Sequence, residues 1–527
     1  MSLNRNIAFN LVEASREYPE KFAVSCGDDV LSYSKLVSVV CDVARKLGPA
    51  LQSGRCGVLG SRSIEACVAI LGTAWAGGTY VPISLKYPEQ RLIELLDLLD
   101  LDALIVDRAG IRLLTDAVRA HCPRLVLIPA DAPGEFVAET AGHEVAPLAD
   151  LEHPAFVSEE HLAYIEFTSG TTGKPKGVMV SAGAVASYIE AMRGWYDFGP
   201  DDRAAETCDI TFDLSVHNML MTWQAGACLH IMRPLDLVAP ARFINKHQIT
   251  TWLSVPSLVG IMKQTGKLAP GALPSLRISL FCGEPLPLQV ARDWAAAAPN
   301  SIVDNIYGPT EATIACLRQP WSGQGVETGI VTRSRDIVAI GDPYPGMKTM
   351  IVDADLNPLP DQVPGEIALG GRQLAEGYFA QDALTAERFP TINGERWYLT
   401  GDRGYRDANG IFHHLGRLDN QVKVNGHRVE LEEIDMQMRK AADTDMACAV
   451  AWPVAHGSAQ GIVGFSAGGE ANADTIRGIL RDRLPPHMVP NRVHVLDALP
   501  LNGSGKIDRK ALALMLDENQ VQPELAS

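Results

Sequence analysis

The sequence predicts an α/β protein that folds as more than one domain. Through roughly the first 400 residues, apolar strand-like runs alternate with helical ones, which is typical of parallel sheets covered by helices. After residue 440, two strand-like runs precede a helical run, which predicts a small α+β unit of about 100 residues. The 527 residues of the chain also exceed what a single hydrophobic core usually holds.

Residues 66–85, ACVAILGTAWAGGTYVPISL, form an uncharged stretch that is long enough to cross a bilayer. Glycines at 72, 77 and 78 and the proline at 82 interrupt it, so we expect a helix, a turn and a buried strand instead. The sequence therefore predicts no membrane insertion.

Other segments extend the α/β pattern in chain order. Residues 101–107 and 124–130 predict buried strands, and a helix is expected over 108–120 between them. Residues 321–336 mix glycines with charges and predict an exposed loop. The elements expected in the C-terminal unit are strands at 445–455 and 461–467 and a helix at 474–484.

Composition and charge exclude several classes of function. The chain has 46 Lys and Arg against 63 Asp and Glu, a formal net charge of −17, which argues against a nucleic-acid partner because such proteins need a basic surface. The 10 cysteines include no C-x-x-C pair, so no zinc or redox motif is present. Scattered cysteines and an N-terminus without a signal-peptide pattern predict a cytoplasmic location.

The strongest local motif is the glycine-rich segment Thr168–Gly177, TSGTTGKPKG, which follows a strand-like run. Glycines let successive backbone N–H groups point into one concavity, and the hydroxyls and lysines add donors and positive charge, which suits a triphosphate. The segment is not a Walker A loop, because Thr168 and Pro175 stand where that motif needs glycine and a hydroxyl residue. A flexible hairpin is the alternative interpretation.

Further segments are weak one by one. Residues 500–508, PLNGSGKID, form a second glycine loop that carries Lys506 and would alone be interpreted as a solvated turn. The segments NIYGPTEAT at 305–313, YLTGD at 398–402 and GRLDNQVKVNGHRVE at 416–430 would alone be a turn, a strand end and a charged hairpin. Their occurrence together, in this order, is what favours a shared nucleotide site.

These five segments in order resemble the acyl-adenylate-forming superfamily, which includes peptide-synthetase adenylation domains, acyl-CoA synthetases and luciferases. The resemblance extends from Tyr80 to Lys506. It implies a large N-terminal domain of several subdomains, with mixed sheets and covering helices, over residues 1–418. It also implies a small α+β C-terminal lid domain over 419–527, with a hinge near Asp419.

The resemblance implies ATP and Mg²⁺ as cofactors, with Lys506, Glu311 and Thr168 as catalytic residues. Lys506 would bridge the substrate carboxylate and the α-phosphate, and Glu311 and Thr168 would bind Mg²⁺. The implied nucleotide site comprises Thr168, Ser169, Gly170, Thr171, Thr172, Gly173, Lys174 and Lys176 at the β- and γ-phosphates, Gly283, Glu284, Pro285, Asn305, Tyr307 and Gly308 at the adenine, Thr310 at a phosphate, and Asp402 and Arg417 at the ribose.

The chemistry implied by the resemblance has two steps. A carboxylate attacks the α-phosphorus of ATP and forms an acyl adenylate with release of pyrophosphate, while the cations and the glycine loop stabilise charge on the transferring group. The lid then rotates, and a thiol attacks the adenylate to form a thioester. The segment lacks a G-G-[HD]-S carrier site, so we expect the thiol to come from a separate phosphopantetheinyl carrier protein or from CoA.

Asp213 matches the position at which amino-acid-activating relatives hold the substrate ammonium, and a buried cation needs a carboxylate partner. The alternative is an N-cap aspartate on the following helix. His217 could pack as a satisfied imidazole or hydrogen-bond a substrate hydroxyl. The predicted pocket is formed by Asp213, Leu214, His217, Ser254, Leu280, Cys282, Gly283, Ile306, Ile314 and Ala315.

This pocket predicts a small or medium neutral amino acid. The chain is similar to free-standing D-alanyl carrier protein ligases around Cys282 and Tyr307, but His217 and Ile306 depart from their pattern. D-Alanine, L-proline and similar amino acids therefore stay open. The alternative function is an acyl-CoA synthetase for a small carboxylic acid; a non-catalytic nucleotide-binding protein is disfavoured because Lys506, Glu311 and Asp402 are retained. Basic residues near the lid, such as Arg428, Arg439 and Lys440, are expected to meet an acidic carrier.

Overall fold

A computed structural model describes residues 4–140, 153–170, 175–323, 329–424, 426–455, 458–469, 471–502 and 507–518. The chain divides into two compact units. The larger unit comprises Met1–Leu85, Leu96–Phe167 and Gly177–Gly416, and the smaller unit comprises Lys86–Leu95, Thr168–Lys176 and Arg417–Ser527.

The helices of the described residues lie at α1 (Phe9–Glu17), α2 (Tyr33–Leu47), α3 (Ile64–Trp75), α4 (Glu89–Leu99), α5 (Asp116–Arg119), α6 (Ala182–Trp195), α7 (Leu214–Gln224), α8 (Pro240–His247), α9 (Ser257–Gln264), α10 (Leu288–Ala297), α11 (Asp382–Arg388), α12 (Leu431–Ala442), α13 (Ala473–Arg481) and α14 (Arg509–Asp517). Single 3₁₀ turns occur at Ile111–Leu113, Asp236–Val238 and Thr310–Ala312.

The strands of the described residues lie at β1 (Phe22–Cys26), β2 (Asp29–Ser32), β3 (Arg55–Gly60), β4 (Thr79–Ser84), β5 (Ala103–Val106), β6 (Leu125–Pro129), β7 (Phe136–Thr140), β8 (Leu162–Thr168), β9 (Lys176–Ser181), β10 (Arg203–Glu206), β11 (Cys228–Ile231), β12 (Thr251–Ser254), β13 (Ile278–Phe281), β14 (Ile302–Tyr307), β15 (Leu317–Ser322), β16 (Val331–Thr332), β17 (Ile337–Val338), β18 (Asp342–Pro343), β19 (Met347–Val352), β20 (Gly365–Gly371), β21 (Gly377–Tyr378), β22 (Thr391–Ile392), β23 (Glu395–Arg406), β24 (Phe412–Arg417), β25 (Gln421–Val424), β26 (His427–Glu430), β27 (Ala447–Ala451), β28 (Val454–Ala455), β29 (Ser458–Ala459), β30 (Ile462–Ala467) and β31 (Arg492–Leu496).

Two mixed sheets form the centre of the larger unit, so the predicted α/β fold is confirmed. One runs β18-β15-β14-β13-β12-β10-β11-β1-β2, with neighbours parallel from β14 to β1 and antiparallel strands at both edges. The other runs β21-β9-β8-β4-β3-β5-β6-β7. A third sheet, β19-β20-β23-β22 with β24 beside β23, completes the unit.

The uncharged stretch at 66–85 folds as predicted. It forms the buried helix α3, a turn at Gly77 with φ +82°, and the buried strand β4. At Gly72 the helix lies so close to α2 that an added Cβ would come within 2.5 Å of Val43. No helix among the described residues is long and apolar enough to cross a membrane.

Two local predictions are wrong in part. The expected helix at 108–120 is a 3₁₀ turn followed by the one-turn helix α5, because Leu114 leaves the helical region and Thr115 caps a new start by accepting from the Val118 N–H. The loop expected to be exposed at 321–336 contains Trp321 and Thr332, which are both buried where the structure describes this segment. Trp321 packs into an apolar cluster with Trp252 and Trp294, and this burial outweighs the charged residues around it.

The smaller unit has its own α+β core. Its sheets run β26-β25-β29-β28 and β27-β30-β31, and α12 and α13 pack against them. The predicted order of strand, strand and helix is confirmed by β27, β30 and α13. Arg509 at the start of α14 pairs with the buried carboxylate of Asp435, which ties the last described helix to α12.

Candidate active site

The carboxyl ends of three neighbouring parallel strands carry predicted site residues. Ser254 ends β12 and pairs in register with Phe281 of β13, which pairs with Asn305 of β14. Because the strands are parallel, Ser254, Cys282 and Tyr307 follow at the same edge of the sheet. Ligand sites of open α/β sheets form at this edge.

Asp213 immediately precedes α7 and is buried, with 8% of its surface exposed. Its carboxylate makes no N-cap hydrogen bond to α7, so the interpretation of this side chain as a helix cap is wrong. Instead, Oδ2 accepts a hydrogen bond of 3.2 Å from the Ile314 N–H. The carboxylate is therefore held toward the loop that follows β14, another part of the predicted pocket.

The Ile314 N–H is presented by a strained turn. Thr313 and Ile314 have φ of +55° and +68°, a left-handed conformation that β-branched residues rarely adopt. Gln373 holds the turn: its main-chain carbonyl accepts from the Thr313 hydroxyl at 2.7 Å, and its amide donates to the Ala315 carbonyl at 2.8 Å. Gln373 has no exposed surface and was missed at the level of sequence, because it lies about 60 residues away from the turn.

A second carboxyl group, Glu166, lies beside Asp213. It belongs to β8, is almost completely buried, and accepts a hydrogen bond from the Asp213 N–H. Burial and the charge of Asp213 raise the pKa of Glu166 well above its ordinary value. Sequence reasoning passed over Glu166, although a glutamate in an otherwise apolar strand-like run is the signal that could have found it.

His217 lies one turn into α7 and is almost completely buried. Its Nδ1 is 2.8 Å from the hydroxyl of Tyr188, and its ring lies edge-on to the rings of Tyr188 and Phe198. Burial lowers the pKa of His217 to about 3, so the imidazole is neutral at any pH near 7. Tyr188, on α6, was not among the predicted residues.

The other predicted pocket residues are buried and differ in their polar contacts. Ser254 donates to the Val255 carbonyl and accepts from the Trp252 indole, so its hydroxyl already has both kinds of partner. The Cys282 thiol is 4.0 Å from the Ile314 carbonyl. Gly283 has φ +83°, and a Cβ there would lie 3.1 Å from Val255. The remaining members are the buried apolar side chains of Leu214, Leu280, Ile306, Ile314 and Ala315.

In the predicted nucleotide site of the larger unit, the Tyr307 hydroxyl donates to Asp402 Oδ2 at 2.5 Å. The other oxygen of Asp402 is 3.4 Å from His414, whose Nδ1 is 2.7 Å from the Arg335 guanidinium. Burial lowers the pKa of Arg335. Arg335 and His414 extend the predicted ribose site, and the sequence alone assigned neither.

Glu311 has no exposed surface and accepts a hydrogen bond of 2.8 Å from the Tyr378 hydroxyl. It lies in the 3₁₀ turn that begins at Thr310. At Gly308, an added Cβ would lie 2.5 Å from the backbone of Ala315, so only glycine fits between β14 and the returning chain.

Glu284 and Asn305 make contacts that hold the scaffold. Glu284 accepts from the Ser257 N–H at 2.9 Å at the start of α9, and Asn305 donates to the Ala339 carbonyl at 2.8 Å. Pro285 follows in the turn after β13. These contacts fix the loops on either side of the predicted adenine pocket.

Within the smaller unit, the described part of the glycine-rich segment is bonded to β26 and α12. Lys176 Nζ is 2.9 Å from Glu430, and both side chains are buried. Ser169 donates to the Arg428 carbonyl and accepts from the Glu430 N–H, while the Gly170 N–H is 3.3 Å from Glu433. The predicted residues Thr171, Thr172, Gly173 and Lys174, and also Lys506, lie outside the described residues.

The hinge region contains a tight ion pair. Arg417 donates to both carboxylate oxygens of Asp419, at 2.8 and 2.5 Å. The predicted ribose ligand is therefore bonded to the predicted hinge residue, which fixes the planar guanidinium in one orientation.

Comparison with known proteins identifies the family. The model of the AMP-binding enzyme family matches residues 11–379. The chain is 34% identical over 516 residues to the AMB antimetabolite synthetase AmbB of Pseudomonas aeruginosa, covering 97% of this chain and 39% of that protein. It is 35% identical over 470 residues to enterobactin synthase component F of Escherichia coli, covering 86% of this chain and 35% of that protein. The chain thus spans less than two-fifths of the length of these curated relatives.

Solved structures agree with this result. The adenylation domain AlmE of Vibrio cholerae, in complex with glycyl-adenosine-5'-phosphate, superposes with a TM-score of 0.86 at 28% identity, covering 98% of this chain and 99% of that one. IdnL7 superposes with a TM-score of 0.72 at 32% identity, covering 98% and 100%. The matched family, the similar sequences and the shared fold lead to one conclusion: the chain belongs to the AMP-binding enzymes, within the acyl-adenylate-forming superfamily.

Proposed function

We propose that this protein activates a small or medium neutral amino acid as an aminoacyl adenylate and passes it to the phosphopantetheine thiol of a carrier protein. The observation that carries the proposal is the buried carboxylate of Asp213, which is oriented by the Ile314 N–H and lies beside Glu166. A buried carboxylate at this position suits the ammonium group of an amino acid, since a buried cation needs a charged partner.

In the first step, a carboxylate oxygen of the amino acid forms a bond to the α-phosphorus of ATP. The bond between that phosphorus and the bridging oxygen breaks, and pyrophosphate leaves with the electron pair. The substrate carboxylate is already ionised near pH 7, so the step needs no general base. We assign Lys506 and the segment Thr168–Lys176 to the stabilisation of negative charge on the phosphates.

Adenylate-forming enzymes use ATP with Mg²⁺, and the residues of this chain fit such an ion. Thr168 Oγ1 is buried with no hydrogen-bond partner among the described residues, and Glu311 supplies a fully buried carboxylate. Both are hard oxygen donors of the kind that Mg²⁺ prefers. Bound Mg²⁺ neutralises phosphate charge during the displacement. Thr168 and Glu311 would hold the ion, and Tyr378 keeps the Glu311 carboxylate in place.

The second step is attack of a thiolate on the acyl carbon, which breaks the bond to AMP and forms a thioester. The named relatives include a component of enterobactin synthase, a subunit of linear gramicidin synthase and a tyrocidine synthase, which supports a carrier-bound thiol. An acyl-CoA synthetase is the competing function, and Asp213 argues against it. The bulky walls Leu280 and Ile306 support a substrate of the size of D-alanine or L-proline.

Exchange of labelled pyrophosphate into ATP, measured over a panel of D- and L-amino acids and their deamino analogues, tests the first step. We expect exchange with amino acids and little with the analogues, and loss of exchange in D213A. Exchange only with simple acids would contradict the proposal. For the second step, a phosphopantetheinylated carrier supplied in trans should accept the acyl group, whereas consumption of CoA without any carrier would favour the acyl-CoA synthetase.

A further inference from the structure

The Tyr188 hydroxyl is the starting point for a more specific statement about the substrate. Tyr188 has no exposed surface, and burial raises the pKa of its phenol well above the ordinary value, so the hydroxyl keeps its proton. A buried O–H group needs an acceptor. Among the described residues its one hydrogen-bond partner is His217 Nδ1, at 2.8 Å; the neighbouring Tyr344 hydroxyl makes no hydrogen bond.

This contact determines which ring nitrogen of His217 carries the proton. Since the Tyr188 O–H must donate, Nδ1 is the acceptor and has no hydrogen of its own. The ring is neutral and holds a single N–H, which is therefore on Nε2. Within the part of the chain that the structure describes, no side chain or carbonyl accepts from this Nε2–H.

The surroundings of His217 contain few alternatives for that donor. His217 and Leu280, which both belong to the predicted pocket, also line a cavity of about 10 Å³, close to the volume of one water molecule. The polar side chains on its wall are occupied: Asn218 donates to Glu206, and Thr222 donates to the Asn218 carbonyl. A buried N–H in this position lacks an acceptor until one arrives from outside.

We propose that Tyr188 positions His217 as an N–H donor, and that the enzyme selects an amino acid whose side chain carries an acceptor oxygen, such as a hydroxyl, an ether or a carboxamide. This inference rests on the proposed function, and it narrows the neutral amino acids to those with an oxygen near the end of a short side chain. A purely aliphatic substrate leaves the Nε2–H unpaired and is rejected for that reason.

Two isosteric substrate pairs test the proposal by pyrophosphate exchange. Threonine against valine exchanges a hydroxyl for a methyl group, and O-methylserine against norvaline exchanges an ether oxygen for a methylene. We expect the wild-type enzyme to prefer the oxygen-bearing member of each pair at least about tenfold in kcat/KM. The ether pair is decisive, because an ether oxygen accepts hydrogen bonds but cannot donate them.

Variants separate hydrogen bonding from packing. In H217L both preferences should vanish, whereas H217Q, whose amide places an N–H near the Nε2 position, should retain part of them. Y188F keeps the ring contact with Tyr344 at 6.1 Å but removes the donor to Nδ1, so it should lower the ether preference at an unchanged KM for ATP.

The outcomes are distinguishable. Equal use of both members of each pair by the wild-type enzyme, or preference for threonine without preference for the ether, would overturn the inference. An unchanged ether preference in Y188F would remove Tyr188 as the positioning residue. If no amino acid at all supports exchange while ATP still raises the melting temperature, the proposed function itself has failed.

Discussion

The main-chain N–H of Asp213 donates a hydrogen bond to the buried carboxyl group of Glu166, so the predicted ammonium ligand is itself held by a second acid. Asp213 is anchored from two sides, since its carboxylate accepts from the Ile314 N–H. Strand β8 and the turn after β14 thus jointly fix the start of α7.

Substitution of Glu166 tests this anchoring. E166L removes the acceptor, and loss of one hydrogen bond of about 1 kcal/mol should lower kcat/KM for the amino acid by about fivefold. E166Q keeps a carbonyl oxygen in place and should be much milder. Exchange kinetics should show an unchanged KM for ATP in both variants. Equal losses in E166Q and E166L would mean that the charge of Glu166, and not its hydrogen bond, is what matters.

Gln373 should be important out of proportion to its distance along the chain. Q373A leaves the Ala315 carbonyl without its amide partner and frees the strained Thr313–Ile314 turn, so we expect a loss of about 1–3 kcal/mol in stability. The KM for the amino acid should rise as well, because the turn presents the N–H that holds Asp213. Denaturant unfolding measures the first effect and exchange kinetics the second.

Q289A is the matched control for Q373A. Gln289 lies on the exposed face of α10 and contacts Asp293, so its removal should change stability by less than about 0.5 kcal/mol. If both variants behave alike, the turn does not depend on Gln373.

The buried pair of Lys176 and Glu430 predicts competition within the smaller unit. A lysine whose partner at 2.9 Å is Glu430 cannot at the same time be fully available to a phosphate. E430Q should therefore lower the KM for ATP and also destabilise the protein, because removing one partner of a buried pair costs about 3–5 kcal/mol. Destabilisation with an unchanged KM for ATP would leave the pair with a structural role only.

His230 predicts a loss of stability on acidification. Burial and the neighbouring charges of His247 and Arg203 lower its pKa to about 4 in the folded protein, against about 6.5 in an unfolded chain. As the pH falls below about 6.5, the unfolded state takes up a proton that the folded state refuses, so this contribution grows down to about pH 4. H230N should reduce the stability lost between pH 7 and pH 5 by about 1–2 kcal/mol. The same substitution at the exposed His153 is the control and should leave that difference unchanged.

Basic residues at the end of α12 should affect the thioester step and not adenylation. Arg439 and Lys440 are exposed there on a protein of net charge −17, whereas Arg428 is only half-exposed in β26. Carrier proteins are usually acidic, so K440E should slow loading of the carrier several-fold and leave pyrophosphate exchange unchanged. Added salt should weaken loading more than exchange. Equal salt sensitivity of the two reactions would contradict this docking surface.

The linear sequence was sufficient for the features that depend on local pattern. The alternation of strands and helices, the buried helix and strand at 66–85, and the motif order that resembles the adenylate-forming enzymes can all be predicted from neighbours along the chain. Such signals are short-range, because they arise from residue periodicity, turn chemistry and glycine content. The same short range explains why the helix expected at 108–120 was overestimated.

Only the tertiary structure revealed the contacts that hold the candidate site together. Glu166 contacts Asp213, Tyr188 sets the tautomer of His217, Gln373 supports Ile314, and Arg335 reaches His414, each across tens of residues. The sequence alone named Asp213 and His217 but could not say which proton or which neighbour each would hold. The physical reason is that hydrogen-bond direction and protonation in a buried site depend on partners brought together by packing, and no periodicity along the chain encodes them.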